Sequence, residues 1–204
     1  RKIVISTGEV TTLAGSGTRT FADGTGTAAS FNVVSYITTD GTNLYVTDRD
    51  NQRIRKIVIS TGEVTTLAGS SGGFQDGTGT SAKFLNPNGI TTDGTNLYVA
   101  DRSNNRIRKI VIATAEVTTL AGSGTGTFAD GTGTSASFYH PTGITRVGTN
   151  LYVGDINNRR IRKISWGTET ADVAMHNLDN DTNATINLAS SDTGEATVAP
   201  ASLT

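Results

Sequence analysis

The chain has 204 residues, of which 35% are hydrophobic, with 24 Gly and only 3 Pro. This balance is lean for a helical core but ordinary for an all-β protein that packs through small residues and many turns. The absence of Cys excludes disulfides, thiolate catalysis and Cys-ligated zinc. A net charge of −1 argues against a nucleic-acid binder. No apolar run approaches the roughly 18 residues of a membrane-spanning helix, so we expect no membrane insertion.

Internal repetition dominates the sequence. The string Arg-Lys-Ile begins at residues 1, 55, 108 and 162, so that the spacings are 54, 53 and 54 residues. Residues 1–15 recur unchanged at 55–69, and they recur at 108–122 with two changes, Ala113 and Ala115. Such a period indicates that one structural unit is repeated along the chain. Because the chain begins inside a repeat and without an initiator Met, we expect a processed product or a segment of a longer protein.

Each repeat predicts four short strands. In the best-defined copy they cover 90–93, 96–101, 107–112 and 117–121, separated by turns rich in Asp, Gly, Asn and Ser. The second strand alternates, with Leu97 and Val99 on one face and Tyr98 on the other. Four antiparallel strands with two partly apolar faces cannot bury themselves and must stack on similar units. The predicted fold class is therefore all-β, with the units arranged radially as the blades of a β-propeller.

The motif Pro-x-Gly-Ile, followed by Asp-Gly-x-Asn-Leu-Tyr-Val-Ala-Asp and Asn-Asn-Arg-Ile-Arg-Lys-Ile between 87 and 110, resembles the NHL repeat. The continuation Val-Thr-Thr-Leu-Ala-Gly-Ser, with Asp-Gly-Thr-Gly-Thr-x-Ala-x-Phe after it, is similar to the long-looped bacterial form of that repeat. The resemblance covers residues 1 to about 165 and implies four-stranded antiparallel propeller blades. At 33–36 the sequence Val-Val-Ser-Tyr replaces Pro-x-Gly, and we expect a different strand geometry there.

The number of blades is too small for closure. The chain holds two strands of one blade (2–14), two full blades (34–68 and 87–121) and most of a further blade (141–165). The resemblance implies that such propellers usually close with six blades, and three cannot close around an axis. Unmatched strand edges are sticky, so we expect a partial propeller completed by further blades of the same protein or by another copy. Segment 2–14 is what the blade ending near Ile164 lacks.

The sequence changes character after residue 165, which divides it into a propeller domain (1–165) and a tail (166–204). All 17 Lys and Arg precede the tail, together with 12 Asp and Glu, whereas the tail has six acidic residues. The blades therefore carry about +5 and the tail about −6. Part of the tail, 185–204, resembles the Ig-like or Calx-β-like modules of bacterial surface proteins, which implies an extracellular or cell-surface location and a partial module rich in β-structure.

Basic residues recur once per repeat and form the first candidate site. A ring of cations could hold glycans, an anionic polymer or an acidic tail; its candidates are Arg55, Lys56, Arg108, Lys109, Arg162 and Lys163. A second set of arginines lies five residues after a recurring aspartate, and we predict structural turn pairs between them. These pairs are Asp48 with Arg53, Asp101 with Arg106, and Asp155 with Arg160.

Metal sites find little support in the sequence. Each Asp-Gly loop (Asp23, Asp76, Asp130) offers a single carboxylate, which turn chemistry explains without a cation. A weak Ca²⁺ candidate lies in the tail at Asp179, Asp181 and Asn183, where oxygen ligands are denser, although the Gly and the distant Glu of an EF-hand are missing. We otherwise predict no cofactor.

Catalysis also finds little support, because His140 and His176 fall in unrelated contexts and no nucleophile or phosphate-binding motif is present. An active site needs different residues converging from different blades, and these blades are near copies. The preferred hypothesis is therefore a non-enzymatic structural or adhesive module that associates with itself, into a fibre or a ring. The alternatives are a propeller that binds carbohydrate or an anionic polymer, and an enzyme whose site lies outside this segment.

Overall fold

The computed structural model describes residues 1–165, and within that range the regular elements are β-strands and single turns of 3-10 helix. The strands are β1 (Lys2–Ile3), β2 (Val10–Thr11), β3 (Gly24–Thr25), β4 (Val34–Thr39), β5 (Asn43–Asp48), β6 (Arg53–Val58), β7 (Glu63–Ala68), β8 (Gly77–Thr78), β9 (Pro87–Thr92), β10 (Asn96–Asp101), β11 (Arg106–Val111), β12 (Glu116–Ala121), β13 (Pro141–Val147), β14 (Asn150–Asp155) and β15 (Arg160–Ser165). The 3-10 turns are Gly26–Ala28, Arg49–Asn51, Gly79–Ser81, Arg102–Asn104, Gly133–Ser135 and Ile156–Asn158. The predicted tail at 166–204 lies outside the described residues.

The strands form three blades and one small hairpin, all antiparallel. Blade 1 has the order β3-β7-β6-β5-β4, blade 2 has the order β8-β12-β11-β10-β9, and blade 3 has the order β13-β14-β15. Strands β1 and β2 pair only with each other. The four predicted strands of the repeat are confirmed, and the Asp-Gly-Thr loop adds a two-residue fifth strand at the outer edge of blades 1 and 2. The all-β blade architecture is thus confirmed, and the three blades do not close.

The turn between β9 and β10 illustrates how the repeat specifies its hairpins. Oδ1 of Asp93 accepts the backbone N–H groups of Thr95 and Asn96, and Oδ2 accepts the hydroxyl of Tyr98 at 2.8 Å. Burial by itself would raise the pKa of Asp93, but a hydrogen bond from the side-chain amide of Asn96, together with those just named, stabilises the carboxylate and lowers the pKa to about 2. Gly94 follows with a φ of 92°, a backbone conformation that favours glycine. The Asp-Gly pair therefore specifies the turn, and both carboxylate oxygens of Asp93 accept hydrogen bonds within it.

The first strand of blade 1 does not have the different geometry expected from its Val-Val-Ser-Tyr sequence. Strand β4 pairs Val34 with Asp48 and then, across a bulge, Ile37 with Val46. The same bulge occurs where Pro87 faces Asp101. The expectation was wrong because the aspartate at the end of the second strand anchors the entry: its Oδ1 accepts a backbone N–H of the incoming segment at 2.7 Å in blade 1 and 2.8 Å in blade 2. Proline is not needed for this contact.

The core lies between the blades rather than within them. Between blades 1 and 2 the buried apolar side chains are Tyr45, Ile54, Ala68, Ala82 and Phe84 on one side and Ile90, Leu97, Val99, Ile110 and Val117 on the other. Between blades 2 and 3 the same repeat positions pack again, as Tyr98, Ala100, Ile107, Ala121, Ala136 and Phe138 against Ile144, Leu151 and Val153. Each blade therefore has two different apolar faces that fit each other, which is the stacking predicted from the sequence. No helix long and apolar enough to cross a membrane occurs in the described part of the chain.

The first strands of the blades pack closely, and one glycine permits it. A Cβ added at Gly89 in β9 would collide with the carbonyl oxygen of Thr142 in β13 and lie 2.9 Å from the backbone nitrogen of Ile144. At the equivalent position of blade 3, a Cβ on Gly143 would meet only the hydroxyl of Tyr36, at 4.0 Å. The close contact between β9 and β13 therefore leaves no room for a side chain at position 89.

This difference gives a matched pair of variants. We expect Gly89→Ala to lower the free energy of unfolding by about 2 kcal/mol, since rigid backbone must shift to accommodate the methyl group. Gly143→Ala should change it by less than about 0.5 kcal/mol. Urea denaturation followed by circular dichroism measures both, and equal effects of the two substitutions would contradict the packing described here.

Candidate functional site

A buried arginine lies at the centre of each blade. In blade 2 the guanidinium of Arg108 donates through Nη1 to Oδ2 of Asp101 at 2.8 Å and through Nη2 to Oδ1 of Asp76 at 2.5 Å. The same nitrogens also donate to the backbone carbonyls of Lys83 and Gln75. The side chain of Arg108 is fully buried. Two carboxylates thus hold one arginine, and the arginine ties the long loop before the blade to the blade itself.

The same arrangement recurs in the other two blades. Arg55 contacts Asp48 at 2.7 Å and Asp23 at 2.6 Å, and Arg162 contacts Asp155 at 3.0 Å and Asp130 at 2.7 Å. The arginines also lie over aromatic rings, with centroid distances between 4.8 and 5.1 Å for Phe21, Phe31, Phe74, Phe84, Phe128 and Phe138. Buried charges persist only when they are paired and hydrogen-bonded. The Nη atoms of these arginines meet both conditions, whereas the buried Nε atoms of Arg55 and Arg108 have no hydrogen-bond partner.

This geometry corrects the predicted ring of cations. Arg55 and Arg108 have no exposed side-chain area and Arg162 only 8%, so these arginines face carboxylates inside the blades and not a ligand. The lysines of the predicted ring differ: Lys56 and Lys109 are half-buried, and Lys163 is exposed. Only the lysines are therefore accessible to an external anion. The prediction failed for the arginines because alternate residues of a strand face opposite sides. Lys56 and Lys109 lie opposite Tyr45 and Tyr98, on the face that packs against the next blade, and the arginines lie on the other face.

The predicted turn pairs also named the wrong arginine as the partner of each aspartate. The carboxylate of Asp101 binds Arg108, not Arg106, whose Nη1 donates to the carbonyl of Asn104. The guanidinium of Arg106 instead lies 3.8 Å from the ring centroid of Phe74. Burial lowers the pKa of Arg106, and the neighbouring charge of Arg108 lowers it further. The same correction applies in the other blades, where Asp48 and Asp155 bind Arg55 and Arg162 while Arg53 and Arg160 lie over Phe21 and Phe128.

The Asp-Gly loops have a role that the sequence analysis missed. Asp23, Asp76 and Asp130 each complete an arginine pair, although the sequence suggested only turn chemistry or a cation. The signal was the common period of aspartate and arginine, 32 residues apart in all three repeats. Within residues 1–165 no group of three or more His, Cys, Asp or Glu side chains could hold a metal ion. The Ca²⁺ candidate at Asp179, Asp181 and Asn183 lies outside the described residues.

Blade 3 exposes a face that the other blades bury, here called the forward face (Tyr152, Gly154 and Ile161). Ile161 is 76% exposed, whereas its equivalents Ile54 and Ile107 are completely buried. An apolar groove of about 400 Å³ runs along this face and reaches Tyr36 of blade 1. Exposed apolar surface of this kind, on positions that are otherwise core, is typical of an interaction site.

The opposite face of blade 1, here called the rear face (Ile37, Leu44, Val46 and Ile57), is covered only in part: Val46 and Ile57 are buried, whereas Ile37 is exposed. Ile37 is 58% exposed, whereas its equivalents Ile90 and Ile144 are only 4% and 9% exposed. Leu13, Ala14 and Phe31 from the preceding segment pack on part of this face. A cavity of about 190 Å³ remains between them and the strands of blade 1. The rear face thus resembles an interface between blades in which only part of the covering side chains is present.

The similarities to known proteins agree with this architecture. No protein-family model matches the chain. It is 33% identical over 144 residues to NHL repeat-containing protein 2 of Homo sapiens, an alignment that covers 64% of this chain and 20% of that protein. It is 35% identical over 133 residues to the Arabidopsis thaliana protein SUPPRESSOR OF QUENCHING 1, chloroplastic, covering 59% of this chain and 12% of that protein. The chain spans a fifth or less of the length of these curated relatives.

Solved bacterial structures are similar as well. An auxiliary nutrient binding protein from Bacteroides ovatus shares 28% identity with a TM-score of 0.56, over 68% of this chain and 38% of that one. A protein of unknown function from Bacteroides thetaiotaomicron shares 29% identity with a TM-score of 0.56, over 60% of this chain and 32% of that one. Stacked four-stranded blades with these relatives define a β-propeller protein of the binding or interaction kind. These relatives and structural neighbours support an NHL-repeat β-propeller, to whose repeats the repeats of this chain are similar.

The buried arginines lead to a stability prediction. Arg108→Met leaves the carboxylate of Asp101 buried without its cation, so we expect the free energy of unfolding to fall by about 3 kcal/mol or more. The matched variant Arg106→Met removes a cation–π contact and hydrogen bonds to backbone carbonyls at the blade surface, and it should cost about 1 kcal/mol. Chemical denaturation of both proteins measures the difference. Similar losses would mean that Arg108 is not the blade anchor.

Proposed function

We propose that this chain is a non-enzymatic structural or adhesive module of a secreted or surface-exposed bacterial protein, and that it associates with itself head to tail. The observation that carries the proposal is the pair of open faces. The forward face of blade 3 repeats the surface of blades 1 and 2 that is buried in the two internal interfaces. The rear face of blade 1 repeats the surface that covers it. A second copy therefore offers the forward face a partner that the chain already uses twice.

The missing side chains of the rear face identify what fits there. In the interface between blades 1 and 2, the covering side chains include Tyr45 and Ile54 together with Ala68 and Phe84. On the rear face, Ala14 and Phe31 supply the equivalents of the last two. The equivalents of Tyr45 and Ile54 are Tyr152 and Ile161, which are on the forward face. Insertion of Ile161 into the rear cavity of a second copy would bury an apolar side chain worth roughly 1.5–3 kcal/mol.

Charge supports the same association. The blades carry 17 basic against 12 acidic residues, and residues 166–204 carry six acidic residues and no basic one. The acidic tail of one copy is therefore attracted to the accessible lysines on the blades of another. A contact between two different faces either closes into a ring or propagates into a fibre.

We propose a non-enzymatic role because the blades are nearly identical. Equivalent residues occupy equivalent places in each blade, and the charged groups that lie deepest, the arginines and their aspartates, neutralise one another. An active site instead brings different groups together around one reacting centre. His140 hydrogen-bonds Asn157, and its pKa is lowered by burial and by the charge of Arg102. The surface location rests on the bacterial nutrient binding protein of similar structure and on the resemblance of the tail to surface modules.

Sedimentation of two variants tests the self-association. The unmodified chain should sediment as a species larger than its 21.2 kDa at micromolar concentration. Ile161→Glu places a charge in the apolar contact and should reduce the apparent association constant at least tenfold. Ile156→Arg is the matched control, because it changes a nearby side chain that is 53% exposed into the residue found at the equivalent positions Arg49 and Arg102.

The control variant should associate as the unmodified chain does. A monomer at all concentrations and at low salt, or equal association of Ile161→Glu and the unmodified chain, would overturn the proposal. Circular dichroism on each variant verifies that the blades are folded.

A second candidate is the binding of carbohydrate or another anionic polymer, which the similar nutrient binding protein favours. Lys56, Lys109 and Lys163 would supply the contacts. Because exposed charges are screened by salt, binding of an acidic polysaccharide such as heparin should weaken strongly between 50 and 500 mM NaCl, conditions in which the screening length falls from roughly 14 to 4 Å. Isothermal titration calorimetry measures it, and the triple variant with the three lysines changed to Gln should lose most of the binding. Binding that is unaffected by salt would exclude this site.

A further inference from the structure

Blade 3 has an open place for a fourth strand. In blades 1 and 2 the third strand pairs with β7 or β12, but within residues 1–165 the outer edge of β15 pairs with no strand. A groove of about 320 Å³ lies along this edge. Its walls include Lys163 and Ile164 of β15 on one side and Gly131 and Thr132 of the preceding loop on the other. We call it the strand slot.

The aspartate at the strand slot lacks the contacts of its equivalents. In blade 2 the carboxylate of Asp76 accepts both the backbone N–H and the hydroxyl of Thr119 in the fourth strand, each at 3.2 Å. In blade 1 Asp23 receives the same two hydrogen bonds from Thr66. The side chain of Asp130 is 80% exposed, against 42% and 44% for Asp23 and Asp76. The slot therefore presents an acceptor positioned for a threonine of an incoming strand.

We infer that the strand slot of blade 3 is filled by residues 9–14 of a second copy of this chain, an inference that rests on the self-association proposed above. Residues 10–14 read Val-Thr-Thr-Leu-Ala, the same sequence as the fourth strands at 64–68 and 117–121. The pairing of Arg55 with Thr66 and of Lys56 with Thr65 fixes the register. Transferred by the repeat, it pairs Arg162 with Thr12 and Lys163 with Thr11.

The loop side of the slot has the same register. In blade 2 the fourth strand pairs Glu116 with Thr78 and Val117 with Gly77. The equivalent pairs in blade 3 join Glu9 of the second copy to Thr132 and Val10 to Gly131. The incoming strand therefore forms backbone hydrogen bonds on both edges, as β12 does, and Thr12 donates to the carboxylate of Asp130.

The incoming strand and the forward face meet the second copy at the same place. In blade 1 the residue paired with Ile54 is Ala68, so the repeat pairs Ile161 with Ala14 of the second copy. Ala14 also lines the rear cavity, which Ile161 is proposed to enter. Strand exchange and face packing are therefore geometrically compatible and belong to one interface.

The exchange replaces a weak contact. Strand β2 pairs at present with β1 over two residues, Lys2 with Thr11 and Ile3 with Val10, and all four side chains are exposed. Strand β1 is the repeat copy of Lys163 and Ile164 near the end of β15, so β15 of one chain displaces β1 of the other and offers a longer strand. Each copy then contributes two complete blades and one shared blade.

Engineered disulfides test the inference directly, because the chain contains no Cys. Paired residues of adjacent strands have Cα atoms within the range that a disulfide spans. A mixture of the two single variants Lys163→Cys and Thr11→Cys, oxidised after mixing, should form a covalent species of twice 21.2 kDa on non-reducing gels. The mixture matters because a bond between different variants can form only between two chains.

Two controls make the result specific. Lys109→Cys with Thr118→Cys in one chain crosslinks the equivalent internal pair and should form a disulfide without a change of mass. Lys163→Cys mixed with Thr12→Cys places the second thiol on the opposite face of the strand and should give at least a tenfold lower yield.

The possible results separate this inference from the proposed function. A crosslink at Thr11 but not at Thr12 supports the strand exchange. A chain that associates in sedimentation but does not crosslink at Thr11 overturns the exchange and leaves self-association standing. A monomeric chain without any crosslink overturns both, and a crosslink that forms only within single chains carrying both substitutions shows closure within one chain and also overturns the inference.

Discussion

A β-blade with two apolar faces is unstable alone, and the structure of this chain follows from the need to cover both faces. The same isoleucine position is completely buried at Ile54 and Ile107, where a following blade packs on it, and 76% exposed at Ile161. Nothing in the local sequence distinguishes the three positions, since each lies in Arg-Ile-Arg-Lys-Ile. Burial is therefore a property of the stack and not of the blade.

Within each blade the buried arginine performs the complementary task of fixing the long loop. Arg108 joins Asp101 at the end of the second strand to Asp76 in the loop, so the loop that carries the fifth strand is attached to the blade by charge as well as by backbone pairing. Every carboxylate and every phenylalanine around the arginine belongs to the same repeat unit. Near-identity of the repeats is thus explained physically, because the whole set must recur for the arginine to be buried.

Two of the positions where the repeats differ lie in the outer blades of the described array. Tyr36 stands where the other blades have Gly89 and Gly143, and its hydroxyl reaches towards blade 3. Val147 replaces the turn aspartate of the other two blades and is 62% exposed. Near-identical blades do not bring different side chains together around one reaction centre. The forward face of blade 3 and the rear face of blade 1 are complementary, however, because each repeats one side of the internal interfaces between blades. The architecture therefore favours binding through these two faces.

The sequence by itself determined the repeat, the four strands of each blade and their turns, because strand alternation and Asp-Gly turns are local properties of neighbouring residues. It did not determine which charges pair. Asp101 is nearer along the chain to Arg106 than to Arg108, yet Arg108 is the one that faces it, and Asp76 lies 32 residues away. Likewise, the sequence predicted that the cations of the candidate ring are accessible to a ligand. Only the tertiary packing shows that its arginines are buried within the blades. Ion pairs and burial depend on distances across strands and loops, which periodicity along the chain does not contain.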